Sequence, residues 1–344
     1  MSKVSLQQEL TGEGLAQWMT ANVEGFEGPI TAERFAGGQS NPTFKLTTPT
    51  RAYVLRRKPS GHLLKGAHAV EREACVMNAL HGAGFPVPRI YGLCQDDAVI
   101  GSWFYVMEMM EGRIIWDATL SKLPAAERAA YFDAMNATMA QLHRVDYAAI
   151  GLGDYGRPGA YVERQVKRWS KQYFEDEAAG RNAHMDLLVE WMPKHLPEGD
   201  ETSIVHGDYR IDNLMFHPTE PRVIAVLDWE LSTLGHPLAD FAYHAMMYRM
   251  PPDILGGIKG VDLAASQLPD EATYVRNYCE RTGRDGIDDL DFYVAFNMFR
   301  FAAILHGIRG RVLRGTASSA EAVALSSKFE RVAELAWEQA RKAK

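Results

Sequence analysis

The sequence predicts an α+β fold with two lobes, a strand-rich N-terminal lobe and a mainly helical C-terminal lobe. Two short strand patterns at 35–48 and 51–59 are followed by one helical pattern at 68–84, and a further strand pair is predicted at 98–110. Beyond Gly112 the apolar periodicity becomes helical. A chain of 344 residues also exceeds the usual size of a domain with one core, which favours two lobes.

The lobe boundary is predicted near residue 108, so residues 1–108 form the N-lobe and 109–344 the C-lobe. The segment 203–235 interrupts the helical C-lobe with a short strand, a polar loop and a second strand, VIAVLDWE. Amphipathic helical patterns occupy the rest of this lobe, at 123–146, 161–174, 237–250, 270–283, 288–314 and 318–343.

The composition fits a globular protein and argues against several functional classes. The net charge of −7 argues against a nucleic-acid partner, which usually meets a basic surface. Cys75, Cys94 and Cys279 are widely spaced and form no CxxC pattern, so neither a disulfide framework nor a zinc site is expected. The N-terminus has no secretory pattern, and no apolar run approaches the roughly 20 residues of a membrane span. We therefore expect a cytoplasmic protein without a membrane partner.

The stretch IVHGDYRIDNLMF, residues 204–216, places several polar groups between apolar residues. Asp208 lies five residues before Asn213, and Asp228 follows fifteen residues later in VLDWE. Phosphoryl transfer from a nucleotide requires a carboxylate that takes the acceptor's proton and oxygen ligands for Mg²⁺. We interpret Asp208 as the base and Asn213 and Asp228 as metal ligands. Arg210 could neutralise charge near the transferred phosphate or only brace the loop.

Residues next to these motifs also have structural interpretations. We interpret His206 as a hydrogen-bonding support of the loop. Glu230 could pair with a substrate or with a basic residue at the surface, and we favour the surface pair. Met246, Met247 and Met250 occur at helical spacing and are predicted to belong to the core.

Three motifs together resemble the aminoglycoside-phosphotransferase-like family of small-molecule kinases, which is also called the choline kinase type. HGDYRIDN resembles the HGDxxxxN catalytic loop, which corresponds to HRDxxxxN in protein kinases. LDWE resembles the DFG segment, and GHPLADFAY at 235–243 resembles the next conserved element, in which Asp240 would brace the loop. The resemblance implies a protein-kinase-like two-lobed fold with ATP and Mg²⁺ as cofactors. It also implies transfer of the γ-phosphate to a hydroxyl group of a small molecule.

The segment YVLRRKP resembles the third strand of kinases, where a basic residue contacts the α- and β-phosphates. Strand alternation puts Val54, Arg56 and Lys58 on one face, and Val54-x-Arg56 matches the Ala-x-Lys of the family. We therefore favour Arg56 for this role, with Lys58 as the alternative. Glu73 on the following helix is the implied ion-pair partner, with Glu71 as its alternative.

Two further segments would complete the nucleotide site. AGGQSNPTF takes the place of the glycine-rich phosphate loop, although it lacks GxGxxG. YVMEMMEG would be the hinge, with one methionine near the adenine and two backbone positions reading its edge. The residues implied in these segments are Gly37, Gly38, Gln39, Ser40, Asn41, Met107, Glu108 and Met110.

Several segments resemble the subgroup of kinase domains that are associated with acyl-CoA dehydrogenases, among them GGQSNPTF, LRRKPSG, HAVEREACVM, HRVD and YVERQVKRW. This resemblance implies a hydroxyacyl-CoA, notably a 4-hydroxyacyl-CoA, as acceptor and an acyl-CoA dehydrogenase as pathway partner. The basic residues of helix 161–174 and Trp169 could meet the phosphates and adenine of CoA, or only form a solvated face. These basic residues are Arg164, Lys167, Arg168 and Lys171.

Two alternatives remain open. A pseudokinase would bind nucleotide without transferring phosphate, and the altered third strand and the absent GxGxxG favour it, whereas the complete set of Asp208, Asn213 and Asp228 does not. The same chemistry could also act on an aminoglycoside or an amino-alcohol. An aminoglycoside requires a strongly acidic pocket, whereas the C-terminal helices carry both signs, which favours an anionic acceptor. Their prominent basic residues are Arg300, Arg309, Arg311 and Arg314.

Overall fold

A computed structural model describes residues 10–35, 41–59, 68–317 and 319–343. Its strands are β1 (Thr31–Arg34), β2 (Thr43–Thr47), β3 (Ala52–Arg57), β4 (Ile90–Cys94), β5 (Phe104–Glu108), β6 (Arg113–Ile114), β7 (Ser203–Val205), β8 (Leu214–Phe216), β9 (Val223–Val226) and β10 (Thr233–Gly235). Its α-helices are α1 (Glu13–Asn22), α2 (Val70–Gly82), α3 (Asp97–Ile100), α4 (Ala125–His143), α5 (Tyr161–Glu175), α6 (Ala183–Trp191), α7 (Pro237–Ala245), α8 (Glu271–Thr282), α9 (Leu290–Leu313), α10 (Ala320–Ser326) and α11 (Phe329–Ala340). Short 3₁₀ turns occupy Glu177–Ala179, Met192–Lys194, Ile211–Asn213, Trp229–Leu231 and Met246–Tyr248.

The chain divides into two compact units. Unit 1 contains the N-terminal segment up to Arg113 together with residues 148–155 and 213–232. Unit 2 contains 114–147, 156–212 and the chain from Thr233 onward. The first segment of unit 1 ends close to the predicted boundary at 108. The segment that carries Asn213 and Asp228 belongs to unit 1, however, whereas the sequence assigned it to the helical lobe.

Unit 1 is built on an antiparallel five-stranded sheet with the order β1-β2-β3-β5-β4. Tyr53 and Leu55 of β3 are fully buried in an apolar cluster with Leu15 and Met19 of α1. Because neighbouring residues of a strand point to opposite faces, Arg56 points away from this cluster. The alternation predicted for the third strand is therefore present. It places Arg56 on the opposite face of the sheet, where it pairs with Glu73 of α2.

The predicted strand pair at 98–110 is only half correct, because its first half is the short helix α3. Asp96 caps this helix, accepting a hydrogen bond from the Ala98 amide at 2.9 Å. Gly101 ends it with a φ of 76°, the left-handed conformation common after helices. The strands that pair with β5 are β3 and β4, which both lie earlier in the chain.

Unit 2 is mainly helical, and the 24-residue helix α9 lies at its centre. Phe296 and Phe299 of α9 are fully buried in a cluster that also includes residues of α5, α6, α7 and α11. The antiparallel pair of β7 and β10 precedes and follows the segment that the sequence singled out. The helix predicted over 318–343 is divided into α10 and α11. No helix in the described ranges is both long and apolar enough to cross a membrane.

Candidate active site

Asp240 holds the loop that follows β7. Its carboxylate accepts hydrogen bonds from the backbone amides of His206 at 2.8 Å and Gly207 at 2.9 Å, and the His143 ring lies 3.3 Å away. Burial raises the pKa of Asp240, but His143 and the His206 amide outweigh it and hold this pKa below its usual range. Asp240 thus braces the loop as an ionised group, as the resemblance implied.

One carboxylate oxygen of Asp208 accepts a hydrogen bond and also takes part in an ion pair. The Tyr243 hydroxyl donates to Asp208 Oδ1 at 2.5 Å, and Arg210 Nε lies 3.2 Å from the same oxygen. Arg210 also forms an ion pair with Asp212 at 3.0 Å, so its guanidinium bridges the two carboxylates of the loop. His206 is fully buried, and its Nδ1 accepts the Asp208 amide at 3.2 Å, which confirms its interpretation as a support. Of the two roles left open for Arg210, bracing is the one that these contacts show.

Tyr243 is a residue that the sequence analysis missed. It lies three positions after Asp240 on α7, a spacing that puts both side chains on one helix face. Burial and the Asp208 carboxylate raise the pKa of Tyr243 well above its usual range, so its hydroxyl stays protonated and donates. The position of Tyr243 one helical turn after Asp240 was the signal in the sequence that could have identified it.

A cavity of about 300 Å³ lies beside this loop, within unit 2. Arg210 and Tyr243 line it, and its wall is otherwise mostly apolar. Two basic and two acidic side chains among its lining residues balance one another in charge. The apolar residues are Trp116, Ala118, Ile211, Met246, Met247, Met250, Ile254, Leu255, Phe301 and Leu325, and the charged ones Arg210, Lys328, Asp212 and Asp253. The prediction of core methionines was therefore incomplete, because all three also line this cavity.

In unit 1, Arg56 lies among three carboxylates. Its Nε is 3.0 Å from Glu73 Oε2, and its Nη2 is 2.6 Å from Asp228 Oδ1 and 3.6 Å from Glu230 Oε2. Arg56 is only 8% exposed. The Arg56–Glu73 ion pair is present as expected, whereas Glu230 contacts this buried arginine rather than a base at the surface.

The alternative residues for this ion pair contact each other. Lys58 Nζ lies 2.8 Å from Glu71 Oε2 and 4.1 Å from the centre of the Trp103 ring. The structure therefore pairs Arg56 with Glu73 and gives Lys58 a separate partner.

Glu73 is almost completely buried and is held on both oxygens. Asn41 Nδ2 donates to Oε1 at 2.7 Å and the Tyr105 hydroxyl to Oε2 at 3.2 Å. Burial raises the pKa of Glu73 to about 7, although Arg56 acts to lower it. Asn41, considered as a phosphate contact, binds Glu73 instead. Tyr105 was not identified, but it lies opposite Arg56 in the β3–β5 register.

The two predicted metal ligands both belong to unit 1. Asp228 has a left-handed backbone, with φ 65° and ψ 62°, and the Asn213 carbonyl accepts the Leu227 amide at 2.9 Å. An aspartate and an asparagine supply the hard oxygen donors that Mg²⁺ prefers. Three carboxylates also face the single guanidinium of Arg56, which leaves excess negative charge. The donor set and the charge therefore fit a divalent cation.

The remaining nucleotide residues are only partly described. Met107 lies opposite Val54 in the β3–β5 ladder, and Met110 follows the end of β5. The Glu108 amide donates to the Arg89 carbonyl at 2.9 Å, so it is not a donor for an adenine edge. The phosphate-loop residues Gly37, Gly38, Gln39 and Ser40 lie outside the described residues.

Helix α5 does not present a tryptophan for CoA. Trp169 is 8% exposed in the core of unit 2, and its ring N–H donates to Gln165 at 3.1 Å, so of the two alternatives left open for this helix its burial does not favour contact with an adenine. Lys167 forms an ion pair with Glu163 one turn away at 2.6 Å. This pattern favours the solvated basic face.

Three of the four arginines that suggested an anionic acceptor are engaged with other groups of the protein. Arg300 Nη2 donates to the Gly207 carbonyl at 2.8 Å, and Arg309 pairs with Glu330 at 2.9 Å. Arg314 pairs with Asp176. None of the four is among the residues that line the cavity of unit 2, so their charge gives no support to an anionic acceptor.

Residues 31–293 match the phosphotransferase enzyme family known as APH. The chain is 46% identical over 317 residues to acyl-CoA dehydrogenase family member 10 of Mus musculus, which covers 92% of this chain and 30% of that protein. It thus spans less than a third of that relative's length. This similarity confirms the resemblance to kinase domains associated with acyl-CoA dehydrogenases.

Solved structures share the fold. A protein of Ralstonia eutropha JMP134, provisionally named an aminoglycoside phosphotransferase, is 54% identical with a TM-score of 0.90, over 96% of this chain and 98% of that one. Aminoglycoside phosphotransferase APH(4)-Ia, solved with AMP-PNP and hygromycin B, is 13% identical with a TM-score of 0.61, over 95% and 99% of the two chains. The latter similarity shows the fold alone, and it confirms the predicted kinase-like α+β class. The chain therefore belongs to the phosphotransferase enzyme family.

Proposed function

We propose that the protein transfers the γ-phosphate of ATP to a hydroxyl group of a small molecule. The observation that carries this proposal is the setting of Asp208, whose side chain contacts Tyr243 and Arg210, which both line the cavity of unit 2. The cavity, with a volume of about 300 Å³, would hold about ten groups the size of a water molecule, which is enough for part of a small acceptor. A carboxylate next to such a cavity can orient a hydroxyl group and take its proton.

The nucleotide would be held by the residues of unit 1. Arg56, fixed by Glu73, would contact the α- and β-phosphates, since a guanidinium can bind two phosphate oxygens at once. Asn213 and Asp228 would hold Mg²⁺, which when bound neutralises charge on the phosphates. The AMP-PNP complex of APH(4)-Ia supports nucleotide use on this fold.

A hydroxyacyl-CoA is the acceptor class that we favour. The relative named acyl-CoA dehydrogenase family member 10 supports it, and so does the methionine-rich wall of the cavity, since methionine packs well against varied apolar groups. The balanced charges of the lining residues offer little attraction to a polycation such as an aminoglycoside. An acyl-CoA dehydrogenase would then be a pathway partner.

The test is transfer of labelled phosphate from Mg·ATP to hydroxyacyl-CoAs, aminoglycosides and amino-alcohols. Asp208→Asn should lower transfer at least about a thousandfold and leave ATP affinity within about twofold, because the base is lost but the nucleotide residues are intact. Asp133→Asn is the matched control, since this half-exposed carboxylate of unit 2 pairs only at the surface with Arg281. It should retain normal transfer.

The metal assignment has its own measurement. Asp228→Ala should abolish the Mg²⁺ dependence of ATP binding in a calorimetric titration. Transfer to another acceptor class would keep the chemistry and discard the acyl-CoA. Tight ATP binding with no transfer to any acceptor or to water would contradict the proposal and indicate a pseudokinase.

A further inference from the structure

We propose that Tyr243 is a positioning residue for phosphoryl transfer: its hydroxyl fixes the Asp208 carboxylate while its side chain forms part of the adjacent cavity, so one residue aligns base and acceptor. This inference rests on the proposed function. It assigns to Tyr243 a role that neither the motifs nor the family match gives to this position.

The first support is the contact between the two side chains. The Tyr243 hydroxyl donates a hydrogen bond to Asp208 Oδ1 at 2.5 Å, and Arg210 Nε forms an ion pair with the same oxygen at 3.2 Å. A hydrogen bond to a charged oxygen is directional and stronger than one between neutral groups, so it restricts rotation of the carboxylate. Arg210 alone would hold Asp208 less firmly, because its guanidinium is shared with Asp212.

The second support is that the Tyr243 ring is itself held against the catalytic loop. The Arg300 guanidinium lies 5.4 Å from the ring centre, and its Nη2 donates to the Gly207 carbonyl at 2.8 Å. Arg300 is 9% exposed, which strengthens a cation–π contact relative to one in water. Asp240, which lies on the same helix as Tyr243, accepts hydrogen bonds from two backbone amides of the loop. Tyr243 and the loop are therefore parts of one rigid arrangement.

The third support is the position of Tyr243 at the cavity. Tyr243 and Arg210, which both contact the Asp208 carboxylate, are lining residues. An acceptor in the cavity would therefore touch the side chain that sets the orientation of the base. Loss of the hydroxyl should misalign the proton transfer without touching the nucleotide residues Arg56 and Asp228, which lie in the other unit.

The experiment compares two tyrosine-to-phenylalanine variants of the full chain. Tyr243→Phe removes the hydrogen bond to Asp208, whereas Tyr248→Phe removes a hydrogen bond of the same type, from its hydroxyl to the Pro269 carbonyl at 3.0 Å. Tyr248 is not among the lining residues. Steady-state transfer to the best acceptor and to water is measured, with ATP affinity by calorimetry and thermal unfolding as a check on folding.

Tyr243→Phe should lower kcat about ten- to a hundredfold for both acceptors, with KM and affinity for ATP within about twofold of wild type. Tyr248→Phe should keep the wild-type kcat, even if its midpoint of thermal unfolding falls by as much as that of Tyr243→Phe. A kcat of Tyr243→Phe within twofold of wild type would overturn the inference alone, as would an equal loss of kcat in both variants. A wild-type protein that transfers phosphate to neither acceptor nor water would instead reject the proposed function, and the inference with it.

Discussion

The Asp240→Asn substitution should destabilise unit 2 far more than its small change in shape suggests. In the wild type each carboxylate oxygen accepts one backbone amide, that of Gly207 on Oδ1 and that of His206 on Oδ2. An asparagine offers one oxygen and one NH₂ group, so one buried amide would face another donor. An unsatisfied buried donor costs about 1–3 kcal/mol, and the remaining hydrogen bond loses its charge, which costs about 1 kcal/mol more. We therefore expect a loss of about 2–4 kcal/mol of unfolding free energy.

Urea unfolding followed by far-ultraviolet circular dichroism measures this loss, because the helices of unit 2 dominate the signal. The pKa of Asp240 is lowered from 3.8, so its stabilising contribution is complete above that pH and is lost as the pH falls through its folded value. The difference between variant and wild type should accordingly shrink at strongly acid pH. Asp133→Asn, which changes a half-exposed carboxylate, should cost about 1 kcal/mol or less. A loss below about 1 kcal/mol in Asp240→Asn would refute the bracing role.

Two further predictions concern stability. Burial raises the pKa of Glu73 from 4.5 to about 7, so this group stabilises the fold fully below pH 4.5 and progressively less as the pH rises through 7. Glu73→Gln should remove that decline, on the order of 3 kcal/mol, from urea titrations across this range, and an unchanged slope would contradict it. Gly310→Ala in α9 should lower the unfolding free energy by about 1–3 kcal/mol, because the added Cβ would clash with the Asp176 carboxylate, which Arg314 holds in an ion pair. Thermal unfolding measures this loss, with Gly82→Ala as the control, where nothing lies within 4 Å of the added Cβ and the change should be neutral or slightly stabilising.

Local patterns predicted the parts of the site that depend on local geometry. Alternation along β3 predicted that Arg56 and Leu55 point to opposite faces of the sheet. The HGDYRIDN motif predicted that His206 supports the loop of Asp208 by hydrogen bonding. These features follow from the period of a strand or from one tight loop, so few residues fix them. Glu230 was misjudged because its partner, Arg56, lies 174 positions earlier in the chain.

By itself the sequence determined the α+β class, the family, the loop with its bracing aspartate and the choice of Arg56 over Lys58 as the better match. Only the tertiary structure decided that residues 213–232 pack with the first unit, that Trp169 is buried, and that Tyr243 meets Asp208 beside a methionine-lined cavity. The physical reason is that a motif records the local constraints on the backbone, whereas burial of apolar surface joins segments that are far apart in the chain. The setting of a catalytic group depends on which of those segments come together.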